Sequence, residues 1–284
     1  MKKGACNYIL LCSLILLILL IFIGCSGQEN IYYKDKVAAL MYHHIDEVES
    51  SVTITPQRFA QHLEMLEQRG YNVISIDDLR EFLEGRKSVP PNAVVLTFDD
   101  GYESFYDYAF PILKEKDMSA VVFMIVRHIG VKKGQIPKLD WAQMQEMLAH
   151  GMSFHSHTYD SHVYLKINAH GEEQPALVSR AYLAAENRTE AQEEYIERIY
   201  TDLEKSKREL EDGLKTRVDF FSVPYGAKNA EVEKVCLDIG MNYIFTIKPG
   251  LISSKTDPMS LPRINAGSPD IDAEKLHQLI DKAK

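Results

Sequence analysis

Ala93-Val94-Val95-Leu96-Thr97-Phe98-Asp99-Asp100-Gly101 joins six strand-forming residues to two adjacent carboxylates and a glycine. The six residues have no polar face. That suits a strand buried on both sides, as in a parallel sheet, more than a half-exposed antiparallel one. Pro90-Pro91 breaks the chain just before the run. Outward from it, strands and helices alternate. VAALMY (37–42), YNVISI (71–76), AVVFMIV (120–126), MSFHS (152–156), DFFSV (219–223), NYIFTI (242–247) and LPRI (261–264) read as strands. Thr55-Pro56 opens a helix that Gly70 closes, and Asp77 is the expected cap of a short one. Further helices are predicted over 106–116, 141–150, 189–213, 229–239 and 272–283. The charged 189–213 stretch reads as a solvated face. The alternation predicts a single parallel α/β domain, and seven or eight strands favour a barrel over an open sheet. Neither G-x-G-x-x-G nor G-x-x-x-x-G-K occurs, so a dinucleotide or P-loop reading has no support.

In such a barrel, chemistry belongs at the C-terminal ends of the strands. Four clusters fall there: Tyr42-His43-His44, Asp99-Asp100-Gly101, His157 to His162, and Pro224-Tyr225-Gly226. Asp-Gly alone is a common turn. Two ionised carboxylates at the mouth of a buried strand repel unless a cation or donors separate them. His157 and His162 are five apart, a spacing that fits neither one helix face nor one strand face. They converge only if the chain turns between them; otherwise they are two loop histidines. A divalent metal on Asp100, His157 and His162 would supply the missing cation. Three N/O ligands with an open position are the pattern of a catalytic site. The metal would lower the pKa of water toward about 7 and polarise a carbonyl, with Asp99 as general base. His43 or His44 would supply a proton to a leaving amine; on a strand only one of them faces the site. Zinc, cobalt, nickel and ferrous iron all suit such ligands.

The composition, 45% hydrophobic and 26% charged over 284 residues, is that of a globular protein with a substantial core. Lys2 and Lys3 precede an apolar run from Ile9 to Ile23, about 15 residues, where a membrane span needs roughly 20. It fits the apolar region of a secretory signal. Phe22-Ile23-Gly24-Cys25 resembles a bacterial lipobox, with Phe22 in place of the usual leucine. The expected organisation is a lipoprotein signal over 1–24, a tether over 25–36 and a catalytic domain over 37–284. Lipidated Cys25 would anchor the domain outside the cytoplasm on the cell membrane; the alternative, an uncleaved anchor helix, puts it in the same place. Of the other cysteines, Cys6 and Cys12 lie in the signal, and Cys236 reads as a packed core thiol. Without residues 1–24, which hold two lysines and no acid, the net charge moves from −9 to −11. So acidic a chain is a poor candidate for nucleic acid. It is expected to be a monomer.

TFDDG, SHT followed by His162, and PYG together resemble the polysaccharide deacetylases that share the NodB homology domain, over about residues 37 to 267. The five-residue histidine spacing, the N-terminal MYHHI, VLTFDDGYESFYDYAFPIL and SRAYL (179–183) resemble the biofilm enzymes that de-N-acetylate poly-β-1,6-N-acetylglucosamine. The resemblance implies a distorted (β/α)7-type barrel, circularly permuted relative to most of the family. It implies Asp99 as base, metal on Asp100, His157 and His162, His43 as acid, and the Tyr225 backbone N–H at the oxyanion. The wider family places an arginine shortly before its PYG-like motif; here Ser222-Val223 stand there, and Arg263 in LPRI is the candidate to orient Asp99. Asp140-Trp141 is similar to another family motif but precedes SHT and reads as a helix start. His277 matches the common Leu-x-His motif weakly. The implied partner is a polysaccharide containing N-acetylglucosamine. Peptidoglycan or chitooligosaccharide deacetylation, an O-acetyl esterase and an idle carbohydrate-binding lipoprotein are the competing readings.

Overall fold

The computed structural model describes residues 30–134 and 136–284. The expected signal and Cys25 lie outside them. The main sheet takes its strands in chain order: β1 (Lys36–Tyr42), β2 (Asn72–Val73), β3 (Ala93–Phe98), β4 (Ala120–Met124), β5 (Met152–Ser156), β6 (Phe220–Ser222), β7 (Tyr243–Phe245), β8 (Ile252–Ser253) and β9 (Ile264–Asn265). They lie in the order β7-β6-β5-β4-β3-β1-β8, with β2 also on β3 and β9 also on β1. Every pairing is parallel except β8 against β1. The sheet curls. Leu261 bridges to Phe245 on β7, and Ile264 pairs with Leu40 on β1, so residues 261–265 link the two ends of the parallel array.

All six residues of β3 are buried. Val94, Leu96 and Phe98 pack with Ala38, Leu40 and Tyr42 of β1 and with Val122 and Met124 of β4. Ala93 and Val95 turn the other way, onto Val37, Ala39, Val121, Phe123, Phe220 and Phe245, the concave side of the curl. Each fully buried Val, Leu or Phe contributes about 1.5–3 kcal/mol, which is why a two-sided apolar strand sits at the centre.

The helices are α1 (Pro56–Gln68), α2 (Ile76–Leu83), α3 (Phe110–Glu115), α4 (Trp141–Leu148), α5 (Gln192–Leu214), α6 (Ala230–Asp238) and α7 (Ala273–Lys282). Thr55 caps α1 as expected. The cap of α2 is Ser75, not Asp77: its hydroxyl accepts from Asp78 N–H at 3.0 Å while Asp78 accepts from Ser75 N–H. That box starts the helix at Ile76 and leaves only two strand residues in 71–76. The helix expected over 106–116 is a π-turn, Phe105–Ala109, running into α3. Pro111 has no N–H to give, and Phe110 N–H bonds back to Phe105 O. Pro262 likewise confines the expected 261–264 strand to a single bridge before β9. The 189–213 stretch is not solvated all round: Tyr195, Ile199, Leu203, Ser206, Leu210 and Leu214 form a buried stripe on α5. Within the expected tether, Tyr33 is buried and donates its hydroxyl to Ala93 O at 2.9 Å. Cys236 is buried in the core. Among the described residues, no helix is long and apolar enough to cross a membrane.

Candidate metal and catalytic site

The parallel register brings the site together. Met41 lies opposite Thr97, and side chains alternate along a strand. Two residues on, His43 and Asp99 therefore emerge on the same concave side, with His43 Nε2 at 3.9 Å from Asp99 Oδ2. His44 points the other way. Its Nδ1 is 2.7 Å from Ser104 Oγ and its Nε2 is 3.4 Å from Asp46.

After Asp99 the chain reverses. Asp100 has φ +73° and Gly101 φ +64°. The positive φ of Gly101 favours glycine; a Cβ there would also meet the flexible end of the Met124 side chain, with Cε at 2.5 Å. Lys138, buried over the Tyr102 ring at 3.5 Å, donates to Asp100 O at 3.0 Å and steadies the reversal. The turn aims the Asp100 carboxylate at the two histidines. Nε2 of His157 and Nε2 of His162 each lie 3.4 Å from Asp100 Oδ1. That oxygen is buried with no hydrogen-bond partner. One ligand atom from each of the three residues lies within 4.8 Å of the others. His157 Nδ1–H donates to Ser222 O at 2.6 Å, which fixes the tautomer and leaves Nε2 to ligate. An orphaned carboxylate oxygen facing two imidazole nitrogens fits a divalent cation.

Burial alone would raise the Asp100 carboxyl, but His157, His162 and His43 hold it far below the usual range. Burial and the neighbouring His157 push His162 down to about 4. Burial also works against protonated His157, yet Asp99 and Asp100 leave its pKa raised.

Asp99 is held differently. Burial would raise its carboxyl, but Arg263, with His157 and His43, brings it down to about 2. The fully buried Arg263 donates from Nη1 to Asp99 Oδ1 at 2.8 Å and from Nη2 to Asp99 Oδ2 at 2.7 Å. Its other N–H groups reach Thr246 O, Thr97 Oγ and Ser222 Oγ, so all five donors are used. Ser222 Oγ in turn donates to Asp99 Oδ2 at 3.1 Å. Arg263→Ala should cost about 3–5 kcal/mol, because it strands a buried charge. Urea unfolding at neutral pH checks this, and a loss below about 1 kcal/mol would mean the pair is not the buried anchor described. The sign with pH also follows. The folded value of about 2 lies below the ordinary 3.8, so the stabilisation is present above about pH 4 and fades as pH falls toward 2. The wild-type advantage over Arg263→Ala should shrink in that window.

Burial holds the His43 imidazole below its usual pKa; Asp99 and Asp100 pull it up but do not prevail. Tyr225 has φ +58° in the turn after β6. Its hydroxyl donates to His162 O at 3.3 Å, and its ring sits 4.6 Å from that of His162. His277 lies outside this cluster, with Nδ1 at 2.9 Å from the Tyr71 hydroxyl, and Asp140 caps α4. The sequence reading noted Ser222 only as standing where the family has an arginine, and did not single out Lys138. A lone serine in a strand and a lone lysine in a loop carry no spacing signal, and their roles exist only through contacts with Asp99, His157 and Asp100.

Residues 86–244 match the family model for polysaccharide deacetylase. The chain is 30% identical over 242 residues to the poly-beta-1,6-N-acetyl-D-glucosamine N-deacetylase of Escherichia coli K12, an alignment covering 80% of this chain and 36% of that protein. The chain thus spans little more than a third of that relative's length. It is 26% identical over 259 residues to the Staphylococcus epidermidis protein of the same name, covering 84% of this chain and 83% of that one. Among solved structures, the deacetylase domain of BpsB from Bordetella bronchiseptica superposes with a TM-score of 0.71 at 28% identity, over 81% of this chain and 96% of that domain.

Proposed function

The chain belongs to the polysaccharide deacetylase family, and from that premise we propose that it is a metal-dependent hydrolase that removes N-acetyl groups from a β-linked N-acetylglucosamine polymer outside the cytoplasm. The observation that carries the reading is the pairing of an Asp100–His157–His162 cluster with a separate, arginine-held carboxylate, Asp99, at one rim of the sheet. Two relatives carry that polymer in their names. We read the curled sheet as a distorted (β/α)7 barrel with a permuted strand order, His43 standing just past the end of its first strand.

A divalent cation on Asp100, His157 and His162 would polarise the acetamide carbonyl and bring the pKa of water toward about 7. Arg263 and Ser222 keep the Asp99 carboxylate ionised and facing the site, where it takes a proton from the attacking water. The Tyr225 backbone N–H offers a hydrogen bond to the developing oxyanion. His43 delivers a proton from Nε2 to the departing nitrogen. His43→Ala should keep metal and lose amide turnover by about 10²–10⁴, while an activated aryl ester, whose leaving group needs no proton, loses far less. Equal losses on both substrates, or a larger amide-specific loss in His44→Ala, would remove His43 from this role.

The polymer is tested by free-amine release from poly-β-1,6-N-acetylglucosamine, chitooligosaccharides and peptidoglycan, offered to the metal-loaded domain. Preference for the first supports the reading; preference for either other glycan moves the function to that substrate. We place the domain as a monomer on the outer side of the membrane, anchored by lipid on Cys25. Cys25→Ala should then abolish incorporation of labelled fatty acid and release the domain from membranes. Label in the Cys25→Ala protein, or none in wild type, would favour an uncleaved anchor helix.

A further inference from the structure

His157 and His162 meet at Asp100 although they lie five positions apart, and the four residues between them include no glycine. Thr158 takes φ +77°, a costly conformation for a β-branched residue, which persists only where the surroundings over-determine it. One side of the turn is held by backbone. His157 N–H donates to Met124 O at 2.8 Å, Val126 N–H to Thr158 O at 3.1 Å, and Arg127 N–H to Tyr159 O at 3.0 Å. The other side is held by a carboxylate from the middle of α5. Asp202 Oδ2 accepts from Tyr159 N–H at 2.8 Å, and Oδ1 accepts from Asp160 N–H at 2.9 Å and from Ser161 Oγ at 2.8 Å. Those three residues are consecutive and lie between the two histidines. Asp202 follows one turn after Arg198 and directly precedes Leu203, whose burial in the α5 stripe fixes the helix against the domain. The adjoining Lys205 ammonium sits 3.8 Å over the Tyr159 ring.

From this we infer that Asp202 is a positioning residue for the metal centre: by gathering the donors of Tyr159, Asp160 and Ser161 it sets the turn that brings His162 Nε2 beside His157 Nε2 and Asp100. The inference rests on the metal reading of Asp100, His157 and His162. It gives the charged helix a part in the site that its surface character concealed. Asparagine at 202 would put an amide N–H against one of the turn's donors and loosen the turn without emptying the space.

The test uses the metal-free full domain, titrated with Zn²⁺ and with Co²⁺, whose visible bands report nitrogen ligation. Asp202→Asn should weaken both affinities by about ten- to a hundred-fold, the range typical when the partner of a metal ligand is lost, and should alter the Co²⁺ bands. The melting temperature of the metal-free protein should stay near that of wild type. Ser161→Ala, which removes one of the three bonds without touching the helix, should weaken binding several-fold and decides the matter if Asp202→Asn does not fold. Wild type that takes up no metal would overturn the metal reading itself. Wild type that binds metal, with folded variants giving the same Kd and the same bands, would overturn the role of Asp202 alone.

Discussion

Alanine at Asp100, His157 or His162 is expected to abolish metal uptake and turnover together. Each residue supplies one of three donor atoms that converge within 4.8 Å, and two donors no longer define a catalytic site for a cation that ordinarily takes three protein ligands. The loss should be to background, the largest effect of any single change. Metal content after dialysis, measured beside acetate release on the same preparation, checks it. Full occupancy in His162→Ala would return His162 to the status of a loop histidine. In Asp100→Ala, removal of the buried Oδ1, which has no hydrogen-bond partner, offsets part of any lost packing.

Asp99→Asn is the second large effect. Both Asp99 oxygens are engaged by Arg263 and one also by Ser222, so this carboxylate has little freedom to ligate a metal, in contrast to Asp100. The variant should retain metal and lose about 10²–10⁴ in turnover, the usual cost of removing a general base. An amide nitrogen at 99 would also face the Arg263 guanidinium and cost stability, so folding is checked by melting temperature before rates are compared. Loss of metal in Asp99→Asn, with retention in Asp100→Asn, would reverse the two assignments.

Much of this arrangement was legible in the residues because it depends on local signals. A six-residue run with no polar face identified β3, and the carboxylates at its end marked the rim where the other strands also finish. The choice between His43 and His44 was not legible from periodicity. Both faces of β1 are apolar, Ala38 and Leu40 on one side, Val37 and Ala39 on the other, and only the register of β1 against β3 says which face meets Asp99. Arg263 entered as a candidate for want of an arginine before PYG; its hold on Asp99 spans 164 residues of sequence, beyond any local pattern. The turn between the histidines was inferred as a necessity, but its agent, Asp202, lies on a helix whose Glu and Lys content pointed to solvent. The misplaced cap of α2 and the broken helix before α3 were decided by neighbours: Ser75 with Asp78 makes a reciprocal pair that Asp77 lacks, and Pro111 interrupts the ladder.

The central claim is that this rim hydrolyses an acetamide with a metal on Asp100, His157 and His162 and a base at Asp99. The most direct measurement follows acetate and free amine together, from β-1,6-linked N-acetylglucosamine oligomers, with the domain first stripped of metal by chelation and then reloaded. The account predicts equimolar acetate and amine from the reloaded wild type, none from the stripped protein, and little from reloaded Asp99→Asn. A folded, fully metal-loaded wild type that binds the oligomers and releases neither product would contradict it and leave a carbohydrate-binding protein in its place.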